Sequence, residues 1–210
     1  MKSMLQNNQN SFQKILRNSW ADVCSGAPRT LICSATDTAA FRSAATGFIA
    51  EAAEQIYLAD HHISPDAVHP PCHPFMEIIP DFCKLYDQNP WTLVQSDCVY
   101  PPLKPLFASF IEGIPALRKD YIFLDEISFE KSKFRQSLFD LLAALSLIRP
   151  IVVVLSGIRN AGPELLEFLK FLQEKQRNPE GDRARILCVC AYSPQYGLED
   201  EASLERWDSF

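Results

Sequence analysis

The sequence predicts a three-layer α/β domain with a mostly parallel, five-stranded sheet. Three short apolar runs, at residues 30–34, 151–156 and 186–191, have the length and composition of strands that are buried on both faces. Segments with helical periodicity separate the runs. Because parallel neighbours are joined by crossovers that are usually helices, this alternation indicates a parallel sheet covered on both sides.

The first third of the chain predicts a helix, a strand and a second helix. In the first helix, one face consists of Phe12, Ile15, Leu16, Trp20 and Val23. The strand at residues 30–34 leads into the second helix through residues 35–39, where Ser34 and Asp37 have the spacing of a capping box. The apolar stripe of the second helix consists of Phe41, Ala45, Phe48, Ile49, Ala52 and Ile56.

Residues 60–105 are dense in proline, which predicts an irregular excursion, since proline at this density prevents a continuous helix or a central strand. Within it, the pattern predicts a short helix at residues 76–86 and a strand at 92–95. A further helical piece is predicted at residues 108–117. The excursion therefore interrupts the alternation of strands and helices without ending the domain.

From residue 121 onward the alternation resumes. A strand at residues 121–125 precedes a helix at 134–148, whose predicted inward face consists of Phe134, Leu138, Leu141, Leu142, Leu145 and Ile148. The strand at 151–156 and a helix opened by Pro163 follow, and the strand at 186–191 completes the sheet. We expect a single domain over residues 1–195, without a helical lid, and an acidic tail over residues 196–210.

Composition favours a cytoplasmic protein without a nucleic-acid or membrane partner. The formal charge of -6 and a pI near 5.2 give no overall basic surface. The N-terminal sequence MKSMLQNNQN lacks the apolar core of a signal peptide, and the longest apolar run is shorter than a membrane span. Seven irregularly spaced cysteines, among them Cys33, Cys188 and Cys190 within apolar runs, indicate buried thiols in a reducing compartment.

The stretch YIFLDEISFE runs an apolar strand into two carboxylates, Asp125 and Glu126. Carboxylate oxygens bind magnesium and accept protons from water, so this pair is a candidate nucleotide-hydrolysis motif. The alternative interpretation is that the strand simply ends at the solvent and that Asp125 or Ser128 caps the next helix.

Taken with its position, this strand resembles the second nucleotide motif of P-loop ATPases in the AAA+ class, and most closely that of the signal-transduction (STAND) branch. The segment CHPFMEIIPDF and the ending of IVVVLSGIR are similar to further segments of that branch. The resemblance extends from residue 12 to residue 192. It implies that Asp125 reaches magnesium, that Glu126 polarises the attacking water, and that Arg159 senses a γ-phosphate; an alternative for Arg159 is a helix-end contact.

The phosphate loop of that family, G-x-x-x-x-G-K-[ST], is missing. In the aligned frame Ala35 and Ala40 replace the two glycines, Phe41 replaces the lysine, and Arg42 replaces the hydroxyl residue. The loop chemistry is therefore removed, because alanines restrict the positive φ angles of an anion-binding nest and Phe41 brings bulk instead of charge. Weak binding of an anion remains at the N-terminus of the helix, with Arg42 or Arg29 assisting.

All four histidines fall between residues 61 and 73, at His61, His62, His69 and His73, and Cys72 lies beside the last. Adjacent histidines point apart in regular structure, and no standard pair of metal-ligand motifs is present, so a polar surface loop is the simpler interpretation. Metal binding is the alternative. A cysteine nucleophile at Cys72 is disfavoured because no glycine-rich turn would expose it.

We therefore predict a degenerate, non-hydrolysing AAA+/STAND ATPase-like module with a regulatory or scaffolding role in a signalling assembly, and with a separately encoded protein partner. No cofactor is expected, and ATP with Mg is the cofactor pair of the alternative. That alternative is an ATP-binding enzyme with an atypical loop. A second alternative is a metal- or partner-binding protein whose resemblance to ATPases is only architectural.

Overall fold

A computed structural model describes residues 2–35, 37–52, 56–64, 72–112, 128–177 and 183–192. The helices in this part are α1 (Lys2–Cys24), α2 (Thr38–Ala52), α3 (Phe75–Leu85), α4 (Pro90–Gln95), α5 (Lys104–Ile111), α6 (Ser128–Ile148) and α7 (Pro163–Arg177). The strands are β1 (Arg29–Ser34), β2 (Tyr57–His62), β3 (Ile151–Ser156) and β4 (Ile186–Tyr192). No helix among these residues is long and apolar enough to cross a membrane.

The four described strands form one sheet in the order β1-β4-β3-β2, and all three pairings are parallel. The α/β class and the parallel sheet are thereby confirmed, as are the predicted strands at 30–34, 151–156 and 186–191. The predicted strand at 121–125 and the tail at 196–210 lie outside the described residues. The described sheet thus has four strands, where five were predicted.

The predicted strand at residues 92–95 is wrong, because these residues belong to helix α4. The Asn89 side chain accepts a hydrogen bond from the backbone N–H of Trp91, and Pro90 occupies the first helical position. An asparagine cap followed by proline is a helix start. That local signal prevails over the strand preference of Thr92 and Val94.

Strand β2 was not predicted. Its residues alternate between the two faces: Tyr57 and Ala59 are buried, whereas Leu58 and Asp60 are exposed. The apolar stripe that the sequence predicts for the second helix includes Ile56, but α2 ends at Ala52. This alternation is typical of an outer strand with one polar face. Such a strand contains no continuous apolar run by which the sequence would indicate it.

The sheet carries helices on both faces. Val152 and Val154 of β3 and Leu187 and Val189 of β4 face α1 and α2, whereas the alternate residues of these strands face the cluster that includes α3, α5, α6 and α7. The buried stripe Phe41, Ala45, Phe48 and Ile49 of α2 is confirmed. The two clusters thus cover opposite faces of the sheet.

The proline-rich segment is more ordered than predicted. Besides the end of β2, its described part contains α3, α4 and α5, and α3 buries Phe75, Ile78, Ile79 and Phe82 in the core. The helix predicted at 76–86 is confirmed. Pro90 stands at a helix start, where proline is tolerated, and the turn Pro101–Leu103 begins with two prolines, whereas Pro80 lies inside α3.

Two residues assigned to inward faces are exposed. Ile15 of α1 is 50% exposed, and Ile148, the last residue of α6, is 46% exposed. In α1 the buried face runs through Leu16, Ser19 and Val23, so Ile15 lies at its side. The other predicted inward residues of α6 are buried.

Candidate functional site

The candidate site lies at the edge of the sheet where the parallel strands have their carboxyl ends. Ligands of open α/β sheets bind at this edge. Ser34, His62, Ser156 and Tyr192 are the last residues of β1 to β4 and therefore line it. Asp125 and Glu126 fall outside the described residues, so their predicted place beside residues 34–38 stays a prediction.

The N-terminus of α2 is capped by a carboxylate. Asp37 Oδ1 accepts a hydrogen bond of 2.9 Å from the backbone N–H of Ala40, and the Asp37 carbonyl accepts one of 3.1 Å from Phe41. Asp37 alone is thus the cap, whereas the predicted capping box also involved Ser34. Its negative charge occupies the positive end of the helix dipole, the place at which the family resemblance implies a phosphate.

We expect Asp37→Ala to lower the free energy of unfolding by about 1 kcal/mol, because the cap and its favourable charge are both lost. Asp37→Asn is the matched control: asparagine caps equally well, so that variant should lose less than half as much. Urea unfolding at neutral pH measures both. Equal losses in the two variants would show that the charge, and not the cap, carries the effect.

Phe41 fills the position that the family resemblance assigns to the phosphate-binding lysine. Its side chain is 7% exposed and belongs to the buried cluster of α1, α2 and the sheet. The ring lies 5.6 Å from that of Phe12, centroid to centroid, on α1. The predicted burial of Phe41 with Ala45, Phe48 and Ile49 is confirmed.

Arg42 is held by a carboxylate of β2. Its Nε and Nη2 donate to the two carboxylate oxygens of Asp60, each at 2.8 Å, and these hydrogen bonds raise the pKa of Arg42. Such a paired geometry is what Arg42 would offer to a phosphate. Arg29 stands at the opposite edge, at the start of β1, where its Nε donates to Asp22 at 2.9 Å. The predicted assistance of Arg29 at the helix N-terminus is therefore wrong.

The turn after β3 is tied to the residue after β2. Gly157 adopts a φ of 72°, and the side-chain amide of Asn160 donates to the carbonyl of Ile63 at 2.9 Å. The Ile63 N–H in turn donates to the Ser156 carbonyl at 2.9 Å. Arg159 lies half-buried in this turn, at the carboxyl edge, and its role as a phosphate sensor stays a prediction.

His61 and His62 end strand β2 and point to opposite faces of the sheet. His62 Nδ1 lies 2.9 Å from the hydroxyl of the buried Ser156, its cross-strand partner, on the face that carries α2. His61 lies on the other face, where its ring meets that of His73 edge-on at 5.6 Å. The divergence of the two histidines is confirmed, and their placement in a loop is wrong.

A third donor joins His61 and His73. Glu77 follows His73 by four residues and presents Oε1 at 3.0 Å from His73 Nδ1. One ligand atom from each of His61, His73 and Glu77 lies within 4.8 Å of the other two. Burial lowers the pKa of His61, and His73 lowers it further, so the neutral imidazole that binds metals predominates at neutral pH.

Cys72 is unsuited to nucleophilic catalysis. Its thiol is buried, and Sγ lies 3.5 Å from the carbonyl oxygen of Glu164. Burial raises the pKa of Cys72 to about 12, so the reactive thiolate is scarce at neutral pH. His69 lies outside the described residues.

No protein-family model, curated protein or solved structure matches this chain. On the α2 side, an aromatic ring, a capping carboxylate and a paired arginine stand where the family resemblance would place phosphates. On the α3 side, two imidazoles and a carboxylate converge.

The sequence argument missed Asp60 and Glu77. In hindsight Glu77 has a signal, the H-x3-E spacing relative to His73 within CHPFMEIIPDF, because a carboxylate can join histidines as a metal ligand. Asp60 becomes relevant only once residues 57–62 are recognised as a strand beside α2.

Proposed function

We propose that this protein is a non-hydrolysing, ATPase-like module of the AAA+/STAND kind, which acts as a regulatory or scaffolding part of a signalling assembly. The observation that supports the proposal best is the burial of Phe41 in the place of the phosphate-binding lysine. A P-loop needs a cation and flexible backbone N–H groups at that point. An aromatic ring packed into the core supplies neither.

Two charges reinforce the exclusion of phosphate. Asp37 sets a negative charge at the N-terminus of α2, and Asp60 accepts both hydrogen bonds of the nearest arginine, Arg42. A bound triphosphate would have to displace the first carboxylate and compete with the second. The ring of Phe41 thus excludes phosphate by its bulk, and the carboxylates of Asp37 and Asp60 disfavour it by their negative charge.

Exposed apolar side chains at the opposite edge support a protein partner. Leu85 is 65% exposed and Leu147 is 61% exposed. Leu85 is the last residue of α3 and Leu147 the last but one of α6, and the residues that follow the two helices, Tyr86 and Arg149, contact with 4.8 Å between the guanidinium carbon and the ring centroid. Apolar groups grouped on a surface favour association with another protein. A scaffolding role needs such a surface and needs no turnover.

The proposal is tested by titrating the full chain with ATP and magnesium while the melting temperature is recorded. We expect no shift, whereas a ligand at 100 times its dissociation constant would add about 2.7 kcal/mol to the stability of the folded state. We also expect no ATP hydrolysis above background and no change of stability in Glu126→Gln. Turnover that Glu126→Gln abolishes would favour the active ATPase instead.

A further inference from the structure

We propose that His61, His73 and Glu77 form a binding site for a divalent transition-metal ion of the zinc class. The three side chains come from the end of β2, the turn before α3 and the first turn of α3, and their ligand atoms already lie within 4.8 Å of one another. The site lies on the face of β2 opposite to Asp60 and α2. It is therefore independent of the proposed regulatory function.

The donor set fits zinc chemistry. Imidazole nitrogen and carboxylate oxygen bind Zn²⁺ at about 2.0–2.2 Å, which places neighbouring donors roughly 3.4 Å apart in a tetrahedral site. His73 Nδ1 and Glu77 Oε1 are 3.0 Å apart. His61 would have to approach this pair, because the three ligand atoms are separated by up to 4.8 Å. Magnesium and calcium, which prefer oxygen ligands, suit two imidazoles poorly.

Two of the donors are already close together. His73 Nδ1 and Glu77 Oε1 are 3.0 Å apart, and the His73 side chain is only 12% exposed, so its ring has little freedom left to lose. Glu77 is half-exposed and opens the site to solvent, which leaves room for water as a further ligand.

Such an ion would tie the end of the outer strand β2 to the first turn of α3. An ion that binds the folded chain and not the unfolded one stabilises the fold in proportion to the logarithm of its concentration over its dissociation constant. At 100 times that constant, we expect the melting temperature to rise by about 5 °C or more.

The test uses the full chain, freed of metal by chelator and carrying Cys24→Ser to remove the exposed thiol. We expect Zn²⁺, followed by calorimetric titration and thermal melting, to bind one ion per chain and to raise the melting temperature. Mg²⁺ should do neither. Absence of Zn²⁺ binding would overturn the proposal.

The residues are assigned with matched variants. His61→Ala and Glu77→Gln should each raise the dissociation constant for Zn²⁺ by at least about tenfold. His62→Ala is the control, since it removes the adjacent imidazole from the opposite face and should leave the constant unchanged. Glu77→Gln replaces a half-exposed side chain by one of the same size, so we expect this variant to fold. It therefore tests the metal site even if His61→Ala does not fold. Equal weakening by His62→Ala, or none by Glu77→Gln, would contradict the site.

Discussion

Replacing Phe41 by alanine is expected to lower the free energy of unfolding by about 3–5 kcal/mol. The ring is 7% exposed and packs between α1 and the sheet, where it meets Phe12. Its removal loses the transfer free energy of the ring and leaves a cavity that neighbouring helices fill only in part. Equilibrium urea unfolding measures the loss. Ser43→Ala, an exposed change on the same helix, should stay within about 0.5 kcal/mol of the unchanged protein.

The Phe41→Lys variant tests whether residue 41 belongs to the packed core or lines a nucleotide pocket that is still open. If the position belongs to the core, the lysine variant should be destabilised at least as much as Phe41→Ala, because a charge is buried as well. Neither variant should gain stability from ATP and magnesium. A tolerated Phe41→Lys whose melting temperature rises with ATP would instead indicate a nucleotide pocket that the chain has kept open.

The strands that the sequence predicts correctly contain continuous apolar runs, which are recognisable without tertiary information. β3 and β4 lie inside the sheet and are buried along their length, so nearly every residue is apolar, whereas β1 is an outer, partly buried strand that keeps an apolar run at residues 31–33. β2 borders the sheet on one side, alternates polar and apolar residues, and follows a helical stripe directly. Its recognition needed a period of two over only six residues.

The sequence predicts a feature of the candidate site correctly only where that feature depends on a single helix or strand. The burial of Phe41 follows from the stripe of a single helix. By contrast, the pairing of Arg42 with Asp60 depends on β2 lying beside α2, and the approach of His61 to Glu77 depends on α3 lying across the end of that strand. Neither placement is encoded in local periodicity, because both are set by how helices and strands pack.

Gly157→Ala is expected to lower the free energy of unfolding by about 3 kcal/mol, since it combines backbone strain with a clash. Gly157 has a φ of 72°, a region that disfavours residues with a side chain. A Cβ there would lie 2.5 Å from the carbonyl oxygen of Ile63 and 3.0 Å from Cε1 of His62. The carbonyl cannot easily yield, because it also accepts the hydrogen bond of Asn160.

Gly47→Ala is the matched control, with the opposite expected sign. Gly47 is exposed within α2, and a Cβ there would meet nothing within 4 Å. Alanine should therefore raise the stability by about 0.5–1 kcal/mol, because it reduces the entropy of the unfolded chain and favours the helix. Urea unfolding of the two variants compares the same added methyl group in two settings. A Gly157→Ala variant within about 0.5 kcal/mol of the unchanged protein would show that the turn after β3 relaxes freely and does not fix the carboxyl edge.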